Sequence, residues 1–274
     1  MKEMTLDEIK SCAIGVLDFI DKVCKDNNLK YYLSGGTLLG ALRHKGFIPW
    51  DDDIDIMMPR HDYELLFNVW PKDAPYQVLS YRNSKHFPYA FGKAVDTRTI
   101  KIEPVRSLCQ HLGVDVDIFP IDNIPNDSRE SELLFREIEK WQLRLDRHMA
   151  MYGKARNIPR TIAYNTLLFL RRFFELFGIN TVDKIVRKFS GCAQKYNEVS
   201  TSFCGVTTIS HYGIKEKNPK ESYKEVAFVQ FEGKDYPAPN GYERYLTQLY
   251  GKDYMQLPPM NMRQSHHSYK AYLK

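Results

Sequence analysis

Residues 34–55 read SGGTLLGALRHKGFIPWDDDID. The stretch joins a glycine pair to four carboxylates: Asp51, Asp52 and Asp53, then Asp55 after Ile54, with Ile56, Met57 and Met58 following. The alternation Asp53-Ile54-Asp55-Ile56 has the period of a strand, which puts Asp53 and Asp55 on one face and the isoleucines on the other. Two carboxylates side by side repel each other unless a cation lies between them. Hard oxygen ligands of this kind suit Mg²⁺ or Mn²⁺ rather than zinc. A solvated acidic turn fits poorly, because apolar residues flank the aspartates and Pro49-Trp50 leads straight into them. A calcium loop fits no better. D-x-D-x-D occurs at Asp51, Asp53 and Asp55, but the glycine required next is Ile56 and the twelfth position is Asp62 rather than Glu.

Working outward, Lys30 to Ser34 reads as a short strand that delivers Gly35-Gly36 to a helix over Thr37 to Arg43. Two glycines at a helix start leave backbone N–H groups open to an anion, with no side chain in the way. Upstream, Thr5 to Lys25 is a helix: Thr5 and Glu8 have capping-box spacing, and Leu6, Ile9, Ala13, Val16, Leu17, Ile20, Val23 and Cys24 recur on one face. Downstream, Pro59 is placed to begin a helix that stops at Pro71. Strands are expected at Tyr76–Tyr81, Tyr89–Val95 and Thr99–Glu103. The next informative strand is Gly113 to Phe119, GVDVDIF, ended by Pro120. Asp115 and Asp117 share one of its faces, which points to a site ligand because a buried strand rarely carries two acids on one face without a partner cation.

Ser128 to Tyr152 and Arg160 to Tyr196 read as helices, interrupted by Gly153 to Pro159 and by Gly178. Within them TIAYNTLLFLRRFFELFG is strongly apolar but broken by Arg171, Arg172 and Glu175. It is either a buried helix with salt-bridged arginines or a basic amphipathic helix on an anionic membrane or a lipid-linked substrate. A hairpin, EVAFVQFEGKDYPAP, a last helix, GYERYLTQLYG, and a tail holding His266-His267 complete the chain. That histidine pair is either a surface tail or catalytic.

Composition is that of a globular protein: 43% hydrophobic and 27% charged residues over 274 positions. The net charge of +5 is unevenly placed. Between Asn126 and Ser200 there are 14 Lys/Arg against 9 Asp/Glu, and elsewhere 25 of each sign cancel. The five cysteines, Cys12, Cys24, Cys109, Cys192 and Cys204, lie at least twelve positions apart, so neither a disulfide framework nor a zinc site is suggested. MKEMTLDEIK lacks the apolar segment of a signal peptide, and no run reaches the roughly 18 apolar residues of a span. A cytoplasmic protein is expected. The small basic excess without a nucleic-acid motif argues against nucleic acid as a partner.

The order strand-GG-helix, D-x-D, then h-D-h resembles the nucleotidyltransferase superfamily and, more closely, the LicD family of phosphotransferases. The residues that carry the resemblance are Ser34 to Glu64, SGGTLLGALRHKGFIPWDDDIDIMMPRHDYE, then DIFPID from Asp117 to Asp122, then FEGKDYPAPNGYERYLTQLYGKDYMQLPP and the closing SHH. It implies an α+β fold with a nucleotidyltransferase-type mixed β-sheet, flanking helices and a helical insertion. The corresponding units are a catalytic core over 1–125, a basic helical segment over 126–200, and a hairpin and helix over 201–274 that complete the same domain. It further implies a divalent metal, Mg²⁺ or Mn²⁺, and transfer of phosphocholine or a similar phospho-alcohol from CDP-choline or a related CDP-alcohol donor. The acceptor it implies is a surface glycan or teichoic acid precursor; the basic segment between Asn126 and Ser200 is expected to meet it, by peripheral contact at the inner membrane face. Asp53 and Asp55 match the metal pair and Asp117 the third position, while Asp115 lies outside the matched pattern. Asp117 is the expected base. Gly35, Gly36, Thr37 and Asp51 are expected at the substrate, with positive charge from Arg43, His44 and Lys45. Two alternatives stay open: a nucleotidyltransferase releasing pyrophosphate, and a non-catalytic nucleotide or metal sensor.

Overall fold

The computed structural model describes residues 1–102, 112–150, 158–178, 181–263 and 269–274. In chain order the first elements are β1 (Lys2–Glu3), α1 (Leu6–Asp26), β2 (Tyr32–Leu33), α2 (Gly35–His44), β3 (Asp55–Pro59), α3 (Arg60–Val69), β4 (Tyr76–Leu79), β5 (Gly92–Asp96) and β6 (Thr99–Ile102). They are followed by β7 (Asp115–Ile124), α4 (Ser128–Met149), α5 (Ile158–Leu176), α6 (Val182–Ala193), β8 (Phe203–Val206) and β9 (Asn218–Pro219). The last are β10 (Val226–Phe231), β11 (Lys234–Pro239), α7 (Tyr242–Tyr250) and β12 (Lys270–Leu273). The fold is α+β. Its main sheet runs β2-β3-β7-β5-β4, with β8 beside the second half of β7 and β9 beyond it. β3 and β7 are parallel, and every other pairing in the sheet is antiparallel.

β7 is the spine, and it is longer than its sequence predicts. Pro120 was expected to end the strand, yet the strand continues to Ile124. Along one edge β7 pairs with β3 from Asp117 to Ile121; along the other it pairs with β5 up to Ile118 and with β8 from Ile121 onward. Asp117 N–H points to β3, donating to the Ile54 carbonyl at 2.9 Å, so by alternation residue 120 would aim its N–H at the other edge. There the proline falls in the gap between β5 and β8, where no ladder bond is asked of it.

One face of this sheet is the core. α1 starts with the expected capping box and buries Ile9, Ala13, Val16, Leu17, Ile20, Val23 and Cys24 against β5 and β7, each large aliphatic contributing about 1.5–3 kcal/mol on transfer from water. α3 covers β3 and β7 beside it. At the end of β7 the buried Asp122 accepts two bonds from Arg60, Nε at 2.7 Å and Nη2 at 2.6 Å, one from Asn197 Nδ2 at 2.7 Å and one from Thr207 Oγ1 at 2.9 Å. That carboxylate ties α3, the exit of α6 and the exit of β8 to a single strand.

Two further readings change with the structure. The tail is not free: β12 pairs with β1 on one side and β6 on the other, which also places β6 outside the main sheet. The interruption read at Gly178 is present: it separates α5 from α6, with Gly178 in the left-handed region at φ 70°. α5 is not buried; among its described side chains Leu168 alone is buried. The side chains of Arg171, Arg172 and Glu175 lie outside the described residues, as do Cys109, His266 and His267. The β10–β11 hairpin turns on Glu232 and Gly233 at φ 48° and 82°, the two positive values that a two-residue turn between twisted strands requires. Glu232 N–H donates to the Lys45 carbonyl and Phe47 N–H donates to its carboxylate, so the hairpin clasps the end of α2.

Candidate active site

Asp55 and Asp117 are register partners in the parallel pair β3–β7. Across the other edge of β7, Lys93 of β5 is the partner of Asp117. Directly opposed residues project to the same side of a sheet, so these three side chains, with Asp115 two positions back, share the face opposite α1 and α3. The backbone of Asp55 is pinned from both sides: its N–H donates to Thr37 Oγ1 at 2.8 Å and its carbonyl accepts from Ser34 N–H at 2.9 Å. β3 begins at Asp55, so Asp53 sits in the loop just before it rather than in the strand alternation expected. Asp53 still acts electrostatically on Asp55, as do Asp117 and Asp51.

The glycine pair has a steric role here. Gly35 opens α2 at φ 47°, with a built Cβ 3.6 Å from Asp55 Oδ2, and a Cβ on Gly36 would stand 3.1 Å from Asp51 Oδ2. Without side chains the first turn of α2 abuts the acidic loop. Gly35 N–H faces the buried Tyr245 hydroxyl at 3.4 Å. The carboxylate oxygens of Asp51, Asp52 and Asp53 approach within 4.8 Å of one another, a further grouping able to hold a cation.

The partner cation that the sequence demanded for Asp115 and Asp117 is an ammonium. Lys93 Nζ donates to Asp115 Oδ2 at 2.5 Å and to Asp117 Oδ1, while Lys101 Nζ donates to Asp115 Oδ1 at 2.8 Å. Asp115 is therefore a structural counter-charge, which corrects its expected role as a site ligand. Burial alone would raise its pKa, but Lys101 and Lys93 outweigh that and hold it well below the usual carboxylate range. Asp117 differs. Burial pushes its carboxyl up to about 6, with Asp115 adding to the rise and Lys93 opposing it. Asp55 is raised well above the ordinary value, first by burial and then by Asp53, Asp117 and Asp51. Two acids that resist ionisation beside one that ionises readily make a site prepared to take up positive charge.

These groups line a cavity of about 910 Å³, together with Gly36, Trp50, Tyr89, Phe91, Phe119, Thr208, His211, Tyr212, Tyr250 and Tyr269. Lys93 Nζ lies 4.7 Å from the Tyr89 ring centroid, and Lys101 Nζ 4.1 Å from that of Tyr269, so both ring faces are turned toward positive charge. Thr208 is buried, and its hydroxyl has no hydrogen-bond partner among the described residues. Sequence reasoning missed Lys93, Lys101 and Thr208. A lysine inside the apolar run YAFGKAV was the available signal for Lys93; for Thr208 there was none.

Four predicted site residues are placed elsewhere or otherwise. Thr37 is buried, and its hydroxyl holds the Asp55 N–H rather than facing the cavity. Arg43, His44 and Lys45 lie at the far end of α2, about 15 Å from its start for ten residues at 1.5 Å each. Arg43 Nη1 donates to the carbonyls of Tyr254 and Gln256 at 3.0 and 3.1 Å, and its Nε to His44 Nε2 at 2.9 Å. His44 thus accepts through Nε2 as a neutral imidazole, its pKa lowered by burial and by Arg43. Lys45 is the left-handed cap of the helix at φ 60°. None of the three is among the residues that line the cavity.

The chain matches a family profile described as LicD/FKTN/FKRP, nucleotidyltransferase domain, over residues 28–144. Along its whole length it is 32% identical, over 279 aligned residues covering 100% of both chains, to the lipopolysaccharide cholinephosphotransferase LicD of Haemophilus influenzae. The chain belongs to the LicD family. Two shorter likenesses are to uncharacterised proteins of Rickettsia prowazekii, 43% identical over 67 residues, and Rickettsia typhi, 45% over 56 residues. They cover 24% and 20% of this chain, and 24% and 17% of those proteins. The LicD profile spans the glycine pair, the acidic loop, β3, β5 and β7, which are the segments that build the cavity floor.

Proposed function

We propose that this LicD-family protein transfers phosphocholine, or a similar phospho-alcohol, from a CDP-linked donor to a hydroxyl of a surface glycan precursor. The observation that carries the reading is the alignment of Asp55 with Asp117 on adjacent parallel strands at the floor of an aromatic-lined cavity. The full-length likeness to a cholinephosphotransferase supports the choice of group. The sheet, with its parallel β3–β7 pair carrying the acids, is read as nucleotidyltransferase-type. Residues 126–200 are read as a helical insertion, since β8 returns to β7 after them.

Asp53, Asp55 and Asp117 offer carboxylate oxygens only, a donor set suited to Mg²⁺ or Mn²⁺. When bound there, a divalent ion supplies charge neutralisation for the diphosphate and its leaving oxygen. The protein's own groups do the rest. The acceptor hydroxyl attacks the phosphorus that bears the alcohol; the new O–P bond forms as the P–O bond to CMP breaks in line, and the hydroxyl proton passes to the Asp117 carboxylate. Lys93, already against Asp117, keeps that carboxylate available as base despite its burial. A quaternary ammonium fits against rings such as Tyr89 and Phe91, whose faces the Lys93 ammonium already meets. Thr208 Oγ1 is free to bond a phosphate or sugar oxygen.

The test is incubation of the protein with Mg²⁺, a panel of CDP-alcohols and glycan acceptors. Release of CMP with a phospho-alcohol on the acceptor supports the reading. Release of pyrophosphate from a nucleoside triphosphate instead makes the protein a nucleotide-adding enzyme, and binding without turnover makes it a sensor.

A further inference from the structure

α5 is the least covered α-helix of the molecule among the described residues. Ten large apolar side chains between Ile158 and Phe177 are exposed, by 39 to 82%. At about 100° per residue, Ile158, Ile162, Phe169 and Phe173 fall within a narrow sector, and Leu167 and Phe174 fall on the opposite side. Phe173 packs edge-on against Phe177 at 5.1 Å, and Phe169 stacks with Phe173 at 6.4 Å, so the apolar surface is continuous along the helix. Exposed apolar surface of this extent marks a contact with something apolar. A second helix would cover one stripe, as in a coiled-coil seam, and leave the opposite side in water. A bilayer interface immerses a broad face.

The charge decides between occupants. All of the chain's net +5 lies between Asn126 and Ser200, on α4 to α6 and their connections. On α4, the exposed Arg136, Lys140, Arg144 and Arg147 follow one another at helical spacing on one side, beside Trp141. Gln142 and Leu145 of the same helix line the cavity. Among the described residues no helix is long and apolar enough to cross a membrane, and the exposed apolar arc of α5 beside basic neighbours is that of a helix lying in an interface. From this we infer that α5 docks the protein onto an anionic lipid bilayer, its apolar side chains in the acyl boundary and the cations of α4 to α6 over the headgroups. The same surface then holds the cavity close to lipid-linked molecules.

Co-sedimentation of the full chain with vesicles tests this without any transfer reaction, so its outcome is independent of the proposed activity. Vesicles containing phosphatidylglycerol are expected to bind the protein, and pure phosphatidylcholine vesicles to bind it at least tenfold less. Each Lys or Arg near an anionic surface is worth about 1 kcal/mol, about fivefold, so Arg136→Gln with Lys140→Gln should weaken binding roughly tenfold or more, and added salt should do likewise. Phe169→Ser with Phe173→Ser should abolish it while leaving the melting temperature unchanged. If the serine variant fails to fold, Phe173→Trp decides: brominated acyl chains should quench its added emission. Absence of vesicle binding by the unaltered protein, absence of quenching, or a dimer in sedimentation that the serine changes dissociate while vesicle binding persists, would each overturn the inference.

Discussion

Lys93 Nζ stands 2.5 Å from Asp115 Oδ2 in the buried floor of the cavity, and the same ammonium also donates to Asp117. One cation thus divides its attraction between a carboxylate held ionised and one held near its titration point. Removing it as Lys93→Met leaves the buried Asp115 with Lys101, and the partly buried Asp117 without its ammonium partner. Breaking a buried pair by deleting one partner costs about 3–5 kcal/mol, and this is the expected loss in denaturant unfolding. The pH profile provides the functional readout: without Lys93 the Asp117 carboxyl rises above about 6, so the acid limb of activity should move to higher pH. An unmoved limb would separate Lys93 from Asp117.

Asp55→Asn and Asp53→Asn should each abolish transfer with the fold retained, because they remove charge without volume. Asp55 carries a second expectation. Its ionisation is disfavoured by burial and by Asp53, Asp117 and Asp51, so the neutral isostere should raise the melting temperature of the metal-free protein above pH 7. Activity and calorimetry on the same variant check both; a lower melting temperature would contradict the electrostatic reading.

Asp122→Ala removes the acceptor of four hydrogen bonds and leaves the mostly buried Arg60 guanidinium with Glu64, at 3.2 Å, as its remaining carboxylate partner among the described residues. A loss on the order of 3–5 kcal/mol is expected in denaturant unfolding. Asp122→Asn, which keeps acceptor capacity on one oxygen, should lose less.

Glu216 is buried against Val206 N–H, without a cation among the described residues, and burial lifts its carboxyl to about 8. The sign follows from the unfolded value near 4.5: between about 4.5 and 8 the folded state keeps a proton that the unfolded state releases. This contribution to stability is therefore full below about 4.5 and declines as pH rises toward 8, by up to about 1.4 kcal/mol per pH unit. Glu216→Gln should flatten that slope in pH-dependent unfolding. Equal slopes in the two proteins would show that the carboxylate is ionised in the fold.

Thr208→Val keeps shape and sacrifices no internal hydrogen bond, since the hydroxyl has none among the described residues. Stability should hold or rise slightly, while the KM for donor or acceptor increases severalfold. An unchanged KM for both would place the hydroxyl outside substrate contact.

Several features were already fixed by local rules. The capping box of α1, the glycine entry to α2, the acids of β3 and β7 and the turn of the last hairpin all depend on neighbours within a few residues, where spacing and sterics determine the outcome. The resemblance to the LicD family was legible in one block, Ser34 to Glu64, because that block keeps glycines and acids in fixed order. What sequence could not supply was pairing at long range. Asp115 and Asp117 look alike in GVDVDIF, and only the register of β5 against β7, with Lys101 close by, gives one carboxylate two lysines and the other a share of one. Arg43, His44 and Lys45 seemed close to the glycine pair along the chain, but a helix of ten residues carries them to its far end, where backbone carbonyls and the hairpin claim them. Pro120 interrupts a strand by local preference, yet it is accommodated because two partner strands happen to part beside it. Local physics wrote the elements and their caps; which charge meets which was decided by the sheet.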